Sequence, residues 1–279
     1  MIVQTLQRSR SSLGIVGTIA AVILALIIVA AILAPLLTPH DPTVGSVLKR
    51  YLGPGPGNLL GTDQAGRDLF SRLLYGARST LLGALIVVVV TASCGTMLAL
   101  IASWWGGWVD AAISRVLDFL FAFPNLLLAV LVTAIYGSGM LTASLALSVA
   151  YIPYTARVIR SVSLRERGLS YVRSAELQGI PGVVIAGRHL LPNVGPQILT
   201  GATINFGYAM IDLAALSFLG LGVQAPKADW GLMVSNGQAS LQAGYPAESV
   251  LAGTCIVITV ACAGYLGERL GGRRAAGRA

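Results

Sequence analysis

The run LGIVGTIAAVILALIIVAAILAPLL, residues 13–37, contains no charged side chain over 25 consecutive positions. As an α-helix rising 1.5 Å per residue it would be roughly 38 Å long, more than the ~30 Å hydrocarbon core of a bilayer. Arg8 and Arg10 precede it, as basic residues precede a secretion signal, but the apolar part of a cleavable signal is only about 7 to 15 residues long. The run therefore predicts a retained membrane-spanning helix.

Five further stretches have the same apolar character. The chain of 279 residues is 55% hydrophobic and only 11% charged, whereas soluble domains carry roughly 25% charged residues. This composition excludes a water-soluble fold and predicts an all-α polytopic membrane protein with six transmembrane helices. The five further spans are predicted at residues 80–102, 116–136, 139–160, 196–220 and 247–267.

The charge distribution predicts the orientation of these spans. The net charge is +8, and the basic residues lie at the ends of apolar spans, which argues against a nucleic-acid partner. If the amino terminus is cytoplasmic, thirteen bases fall on the cytoplasmic side and six on the other, so both termini are expected inside. The thirteen are Arg8, Arg10, Arg115, Arg157, Arg160, Arg165, Arg167, Arg173, Arg188, Arg269, Arg273, Arg274 and Arg278, and the six are Lys49, Arg50, Arg67, Arg72, Arg78 and Lys227.

A polar segment, residues 157–193, separates the fourth and fifth predicted spans and holds eight of the chain's 30 charges. Ser170 can cap a short helix over residues 171–178, which Gly179 and Pro181 would end. Val172, Ala175 and Gly179 follow helical spacing and give this helix one narrow face of small side chains. Such a face suits a groove in another protein, although an ordinary solvated loop explains the same residues as well.

The same segment carries a family resemblance. The run YVRSAELQG at residues 171–179, followed after nine residues by HLLPN at 189–193, resembles the EAA loop of ABC-importer permeases in its spacing. The match rests on Ala175, Gly179, Leu191 and Pro192. Arg173, Ser174 and His189 depart from the residues usual in that motif.

Two other stretches narrow the resemblance. The run LGTDQAGRD at residues 60–68, leading into SRLLYGAR at 71–78, is similar to the segment before the second span in the C-type permease subunit of dipeptide, oligopeptide and nickel importers. The run LSFLGLGVQAP at 216–226, ending in DWG at 229–231, is similar to the stretch after the fifth span of that subunit. The resemblance extends from about residue 60 to about residue 270.

This resemblance implies a type I ABC-importer permease with a MetI-like core. Residues 1–59 would then form an anchor helix and the start of an extracytoplasmic loop, and residues 60–279 a five-helix core with the EAA-type loop at 157–193. The implied partners are a homologous B-type permease, two ABC ATPases, an extracytoplasmic binding protein and a short-peptide cargo, in the inner membrane of a bacterial cell. The EAA helix would couple the permease to an ATPase through Val172, Arg173, Ser174, Ala175, Glu176, Gly179 and Pro181.

No catalytic, nucleotide-binding or metal site is expected on this chain. A P-loop requires G-x-x-x-x-G-K-[ST], and the two lysines, Lys49 and Lys227, occur in no such sequence. ATP and Mg²⁺ are therefore expected on the partner ATPases, and the chain is expected not to be an enzyme.

Polar residues within the spans are candidates for the translocation path. Asn205, Tyr208 and Asp212 form a stripe at i, i+3 and i+7 of the fifth span, which faces either the path or a packing partner. Asp212 also supports the alternative of a proton-coupled secondary transporter. Asn125 is a further candidate for the path, and Pro124 beside it predicts a bend in the third span, either static or used in gating.

Other charged residues have simpler local explanations. Asp118 lies three residues after Arg115 and is expected to pair with it. Asp63 and Asp68 are expected to stabilise a turn and to cap the helix that begins at Leu69, while Arg67 or Asp68 could also contact the binding protein.

Overall fold

The computed structural model describes the backbone of residues 2–276 and the side chains of residues 14–269. Regular structure in this part of the chain is helical, apart from two isolated β-bridges in the loop after α2. The α-helices are α1 (Ile2–Ile32), α2 (Ala34–Leu37), α3 (Leu69–Trp105), α4 (Gly107–Phe121), α5 (Asn125–Tyr136), α6 (Met140–Arg167), α7 (Ser170–Leu177), α8 (Gly182–Ile185), α9 (Leu191–Phe218), α10 (Trp230–Gln242) and α11 (Ala247–Ala276). A 3₁₀ turn, Val47–Lys49, lies in the loop after α2, and a π-helical turn, Ala186–Leu190, joins α8 to α9.

Within the described residues, four helical segments are long and apolar enough to cross a bilayer. They are Gly14–Ile32 of α1, all of α3, the continuous segment Gly182–Phe218 and Ala247–Arg269 of α11. The pair α4 and α5 makes a fifth if it is counted as one bent span. The predicted span at 139–160 corresponds to α6, which is long enough but more polar than the others, so the count of six is approximate.

The polarity of α6 follows from its position in the core. Ser144, Ser148 and Tyr151 are buried in the chain, and α6 packs against α3 in the most extensive helix contact of the fold. Small residues bring the two helices together: a Cβ atom at Gly95 of α3 would lie 3.0 Å from Thr155 Cγ2. Since lipid provides no hydrophobic drive between helices, close backbone approach of this kind stabilises the bundle.

The bend predicted at Pro124 is present. The axes of α4 and α5 meet at 85°, and Pro124 occupies the N-cap position of α5. Asn125 is exposed and its side chain makes no hydrogen bond with the described residues, so the proline, which cannot continue a helix, accounts for the bend.

Five of the arginines that predict the orientation lie near the two ends of the chain. The side chains of Arg8, Arg10, Arg273, Arg274 and Arg278 lie outside the described residues. The orientation therefore stays a prediction. The loop face contains residues 38–68 and 219–229, and the α7 face contains residues 168–193.

Candidate functional site: the α7 segment and the carboxylate of α9

The short helix expected after the fourth span is α7, which begins at Ser170 and ends at Leu177. Its N-cap residue is Leu169, so Ser170 does not cap it as predicted. At its end Gly179 N–H donates to Glu176 O (3.0 Å) and Ile180 N–H to Ala175 O (3.2 Å). These two bonds form a Schellman motif, for which Gly179 supplies the required positive φ of 73°.

The small-residue face of α7 is turned towards this chain and not outwards. Val172 and Ala175 are buried in a cluster with Ile185 and Leu190, which also receives Leu100 and Trp104 of α3. This corrects the expectation that the small face enters a partner's groove, because an apolar helix face gains most from burial and this chain already covers it. The outward face instead presents Arg173, Ser174, Glu176 and Leu177, of which Leu177 is 89% exposed.

Trp104 connects the α7 segment to α3. The indole lies so close to Gly182 that any side chain at position 182 would overlap it. Arg167 at the end of α6 packs over the same ring, 4.9 Å from its centroid, and donates to Ser103 O at 2.7 Å. The segment that follows α7 is therefore fixed against the end of α3 and the end of α6 at once.

Tyr171 joins α7 to two further helices. Its hydroxyl donates to Glu166 Oε2 at 3.1 Å and accepts from Asn193 Nδ2 at 2.8 Å. Glu166 belongs to the last turn of α6 and Asn193 to the first turn of α9. A displacement of α7 would consequently act on α3, α6 and α9 together.

The predicted polar stripe on α9 is divided between two environments. Asn205 is buried and donates to Thr155 Oγ1 of α6 at 3.1 Å, which is a packing contact. Tyr208 is 61% exposed, and the half-buried Asp212 accepts a hydrogen bond from Tyr151 Oη at 2.8 Å. Only the latter two residues reach an uncovered face of the helix bundle.

Asp212 has no cation beside it in the described chain, unlike the two carboxylates of α4. Asp110 pairs with Arg160, and Asp118 pairs with Arg157 at 2.5 Å. The expected local pair of Asp118 with Arg115 was wrong, because α6 lies against α4 and brings Arg157 to it. A carboxylate on a lipid-facing surface would cost at least about 2.5 kcal/mol, so the face around Asp212 must meet water, a partner or a ligand.

The residues predicted to contact a binding protein are buried within this chain. Asp68 caps α3 by accepting from Ser71 N–H at 2.8 Å, and its second oxygen accepts from Asn58 Nδ2 at 2.9 Å. Arg67 Nε lies 2.7 Å from Asp63 Oδ2. The capping and turn roles are confirmed, whereas the side chains of Arg67 and Asp68 are not available to a partner, because the loop folds over them.

Arg72 is a fully buried arginine whose role could not be predicted from the sequence. It is 0% exposed, donates from Nη1 to Pro42 O (3.0 Å) and Pro226 O (3.3 Å), and its Nε lies 3.3 Å from Asp63 Oδ2. Glu248 at the start of α11 is also buried and interacts electrostatically with it. The available signal was an arginine in the first turn of a long helix that is predominantly apolar.

The stretch at residues 229–231 has a structural role in the loop face. Asp229 caps α10 by accepting from Leu232 N–H and also accepts from Thr80 Oγ1 at 2.7 Å. Burial raises the pKa of this carboxyl above its ordinary value. Trp230 donates from Nε1 to Leu73 O at 3.0 Å. These contacts fix α10 against α3.

By contrast, Asp41 is exposed, and hydrogen bonds from Thr43 lower its pKa.

Comparison with known sequences agrees with this architecture. The family described as binding-protein-dependent transport system inner membrane component matches residues 95–274, and the N-terminal transmembrane domain of oligopeptide transport permease C matches residues 16–54. The dipeptide transport system permease protein DppC of Alkalihalophilus pseudofirmus is 38% identical over 266 residues, which cover 95% of this chain and 86% of that protein.

Two further relatives are named for other substrates. The probable D,D-dipeptide transport system permease protein DdpC of Escherichia coli K12 is 36% identical, with 78% of this chain and 73% of that protein covered. The glutathione transport system permease protein GsiD of Pectobacterium atrosepticum is 36% identical, with 91% and 85% covered.

A solved structure supports the fold independently of close sequence similarity. A chain of the MetNI methionine ABC transporter in an inward-facing conformation aligns with a TM-score of 0.57 at 20% identity, covering 74% of this chain and 97% of that one. The expected MetI-like architecture is thereby confirmed. From the helical bundle, the family match over residues 95–274 and the relative that covers 95% of the chain, it follows that the chain belongs to the binding-protein-dependent transport system inner membrane components and is a permease subunit of an ABC importer.

Proposed function

We propose that this chain forms one half of the translocation pathway for short peptides in an ATP-driven importer of a bacterial inner membrane. A homologous B-type permease forms the other half, two ABC ATPases bind ATP and Mg²⁺, and an extracytoplasmic binding protein delivers the peptide. The relatives include dipeptide and glutathione permeases, which supports this class of substrate. The chain itself contributes binding and movement and no covalent chemistry.

The observation that carries the proposal is the combination of an outward and an inward face on α7. The outward face offers charged side chains and the highly exposed Leu177 to a partner. The inward face is fixed to α3 through Trp104, and Tyr171 is hydrogen-bonded to α6 and α9. A helix that is exposed on one side and joined to three long helices on the other can transmit the movement of an ATPase to the bundle.

This proposal places the α7 face in the cytoplasm, with both termini, and the loop face outside. The excess of arginines expected on the cytoplasmic side supports that orientation. ATP binding by the partners requires it as well, because α7 must reach an enzyme that uses cytoplasmic ATP. Cysteine accessibility to an impermeant reagent at positions 48 and 177 tests the orientation directly.

The alternative function is a proton-coupled secondary transporter that uses Asp212. Transporters of that class are commonly built from repeated halves, and none is visible in this sequence. Uptake by this chain alone in proteoliposomes, driven by a proton gradient, would favour the alternative. Uptake that requires ATP and the ATPase subunits would exclude it.

The test of the proposed function is purification of the whole complex from native membranes, followed by reconstitution with its binding protein. We expect peptide uptake that depends on ATP, and we expect Leu177→Asp to remove the ATPases from the purified permease. Leu48→Asp is the matched control, because Leu48 is 96% exposed on the loop face and should leave the ATPases bound. Retention of the ATPases by Leu177→Asp would contradict docking through α7.

A further inference from the structure

Asp212 has a free acceptor in an unusual position. One carboxylate oxygen accepts from Tyr151 Oη at 2.8 Å, and no other described group bonds to the carboxylate. The side chain is half-buried in α9, within a segment long and apolar enough to span a bilayer. The second oxygen is therefore oriented by the first bond and still able to accept another hydrogen bond.

Within the described part of the chain, no basic side chain neutralises this carboxylate. The acids of α4 are paired with Arg157 and Arg160, and Asp63 is paired with Arg67 and Arg72. Among the described residues, no lysine or arginine lies within ion-pair distance of Asp212. An ionised carboxylate in a membrane is stabilised by a counter-charge, and the described residues of this chain do not supply one.

Two tyrosines lie near the same position. Tyr208 lies four residues before Asp212, one helical turn away on the same side of α9, and is 61% exposed. Tyr151 belongs to α6 and reaches the carboxylate of Asp212 through its hydroxyl. A carboxylate flanked by aromatic rings is the combination that proteins use to bind an alkylammonium group.

We infer that Asp212, with Tyr151 and Tyr208, binds the α-ammonium group of the peptide as it passes through the permease. The inference rests on the proposed function, because it needs a peptide pathway along this face of α9. Every peptide with a free amino terminus carries this group, whatever its side chains. One carboxylate can therefore serve a transporter that accepts many sequences. Tyr151 is a positioning residue, since it acts through the carboxylate.

The test compares uptake of radiolabelled Ala-Ala and N-acetyl-Ala-Ala by the reconstituted complex in a single turnover. The binding protein is first saturated with each peptide, and the ratio of the two uptake rates is compared between wild type and Asp212→Asn. Any preference of the binding protein itself cancels in this comparison. We expect the ratio to fall by roughly tenfold or more in Asp212→Asn, as for the loss of a charge-assisted hydrogen bond.

Two further variants separate recognition from structure. Asp118→Asn makes the same acid-to-amide change at a carboxylate that Arg157 already neutralises, and its ratio should equal that of wild type. Tyr151→Phe keeps the carboxylate but removes its hydrogen bond, so its ratio should fall part of the way. If Asp212→Asn fails to assemble, the Tyr151→Phe variant provides the test: a lower uptake ratio than wild type supports the inference, and an unchanged ratio contradicts it.

The possible outcomes are distinct. An equal fall in the uptake rates of both peptides in Asp212→Asn or in Tyr151→Phe would overturn the inference. The proposed function would still stand, and Asp212 would then pair with a base of the partner permease. Absence of ATP-dependent uptake of either peptide by wild type would refute the proposed function, and the inference with it.

Discussion

Charged residues are used in opposite ways at the two ends of this molecule. In the loop after α2, Asp63, Arg67 and Asp68 are buried and bonded to one another, to backbone groups or to Asn58. On the α7 face, by contrast, Arg173, Glu176 and Arg188 are exposed, and none of them forms an ion pair with another described residue. Both regions are polar in sequence, but only in the loop do these charged side chains bond within the fold.

The difference separates structural from available charges. Removing a buried and bonded charge leaves its partner unpaired, so the substitution lowers the stability of the fold. An exposed charge without a partner contributes little to stability, so its removal mainly weakens the binding of a molecule that contacts it. The comparison therefore predicts that mutations of the loop act on folding and that mutations of α7 act on assembly.

The largest effect is expected for Arg72→Met. Removing this guanidinium breaks its ion pair with Asp63 and the bonds that hold Pro42 and Pro226 against α3, and it takes one of the nearby positive charges from the buried Glu248. Breaking a buried charge arrangement by removing one partner costs about 3–5 kcal/mol. We expect a much lower amount of protein in the membrane and a lower melting temperature of the purified complex in detergent.

The matched control is Arg78→Met on the same helix. Arg78 is exposed and forms no ion pair with the described residues, so the change should alter stability by no more than about 0.5 kcal/mol. Equal melting temperatures for the Arg72 and Arg78 variants would show that the buried network on the loop face does not stabilise the fold.

A smaller effect is expected for Asp68→Ala. The variant loses the N-cap of α3 and the bond to Asn58, and a lost cap costs about 0.5–2 kcal/mol. Asp41→Ala is its control, because Asp41 also accepts bonds from a nearby residue but is exposed in a loop. We expect the melting temperature to fall in the first variant only. A fall of similar size in both would mean that burial of Asp68 adds nothing to its capping role.

The sequence predicted the long apolar helices, the bend at Pro124 and the end of α7 at its glycine. These features depend on residues near one another in the chain, such as the missing N–H of a proline or the positive φ that Gly179 allows. The count of six spans was only approximate, because α6 is polar enough to fail as an apolar span and is buried by its neighbours.

The direction in which side chains point was harder to predict. Arg67, Asp68 and the small face of α7 all turned out to be buried, and Asp118 found its partner 39 residues away in Arg157. Periodicity shows which residues share a face but not what covers that face. That information comes from tertiary packing, and here Trp104 of α3 and the loop after α2 supply it.

The smallest effect on stability, and the sharpest test of the comparison, is expected for Arg173→Glu. The side chain is exposed on α7, and arginine and glutamate have similar helix propensities, so the melting temperature of the isolated permease pair should be unchanged. Reversal of a charge at a docking surface should nevertheless weaken retention of the ATPases during purification, because a partner group that pairs with Arg173 would then face a like charge. Arg50→Glu, an exposed reversal on the loop face, should affect neither measurement. If Arg173→Glu lowers the melting temperature as much as Asp68→Ala does, the charges of α7 also belong to the fold, and the contrast between the two ends of the molecule fails.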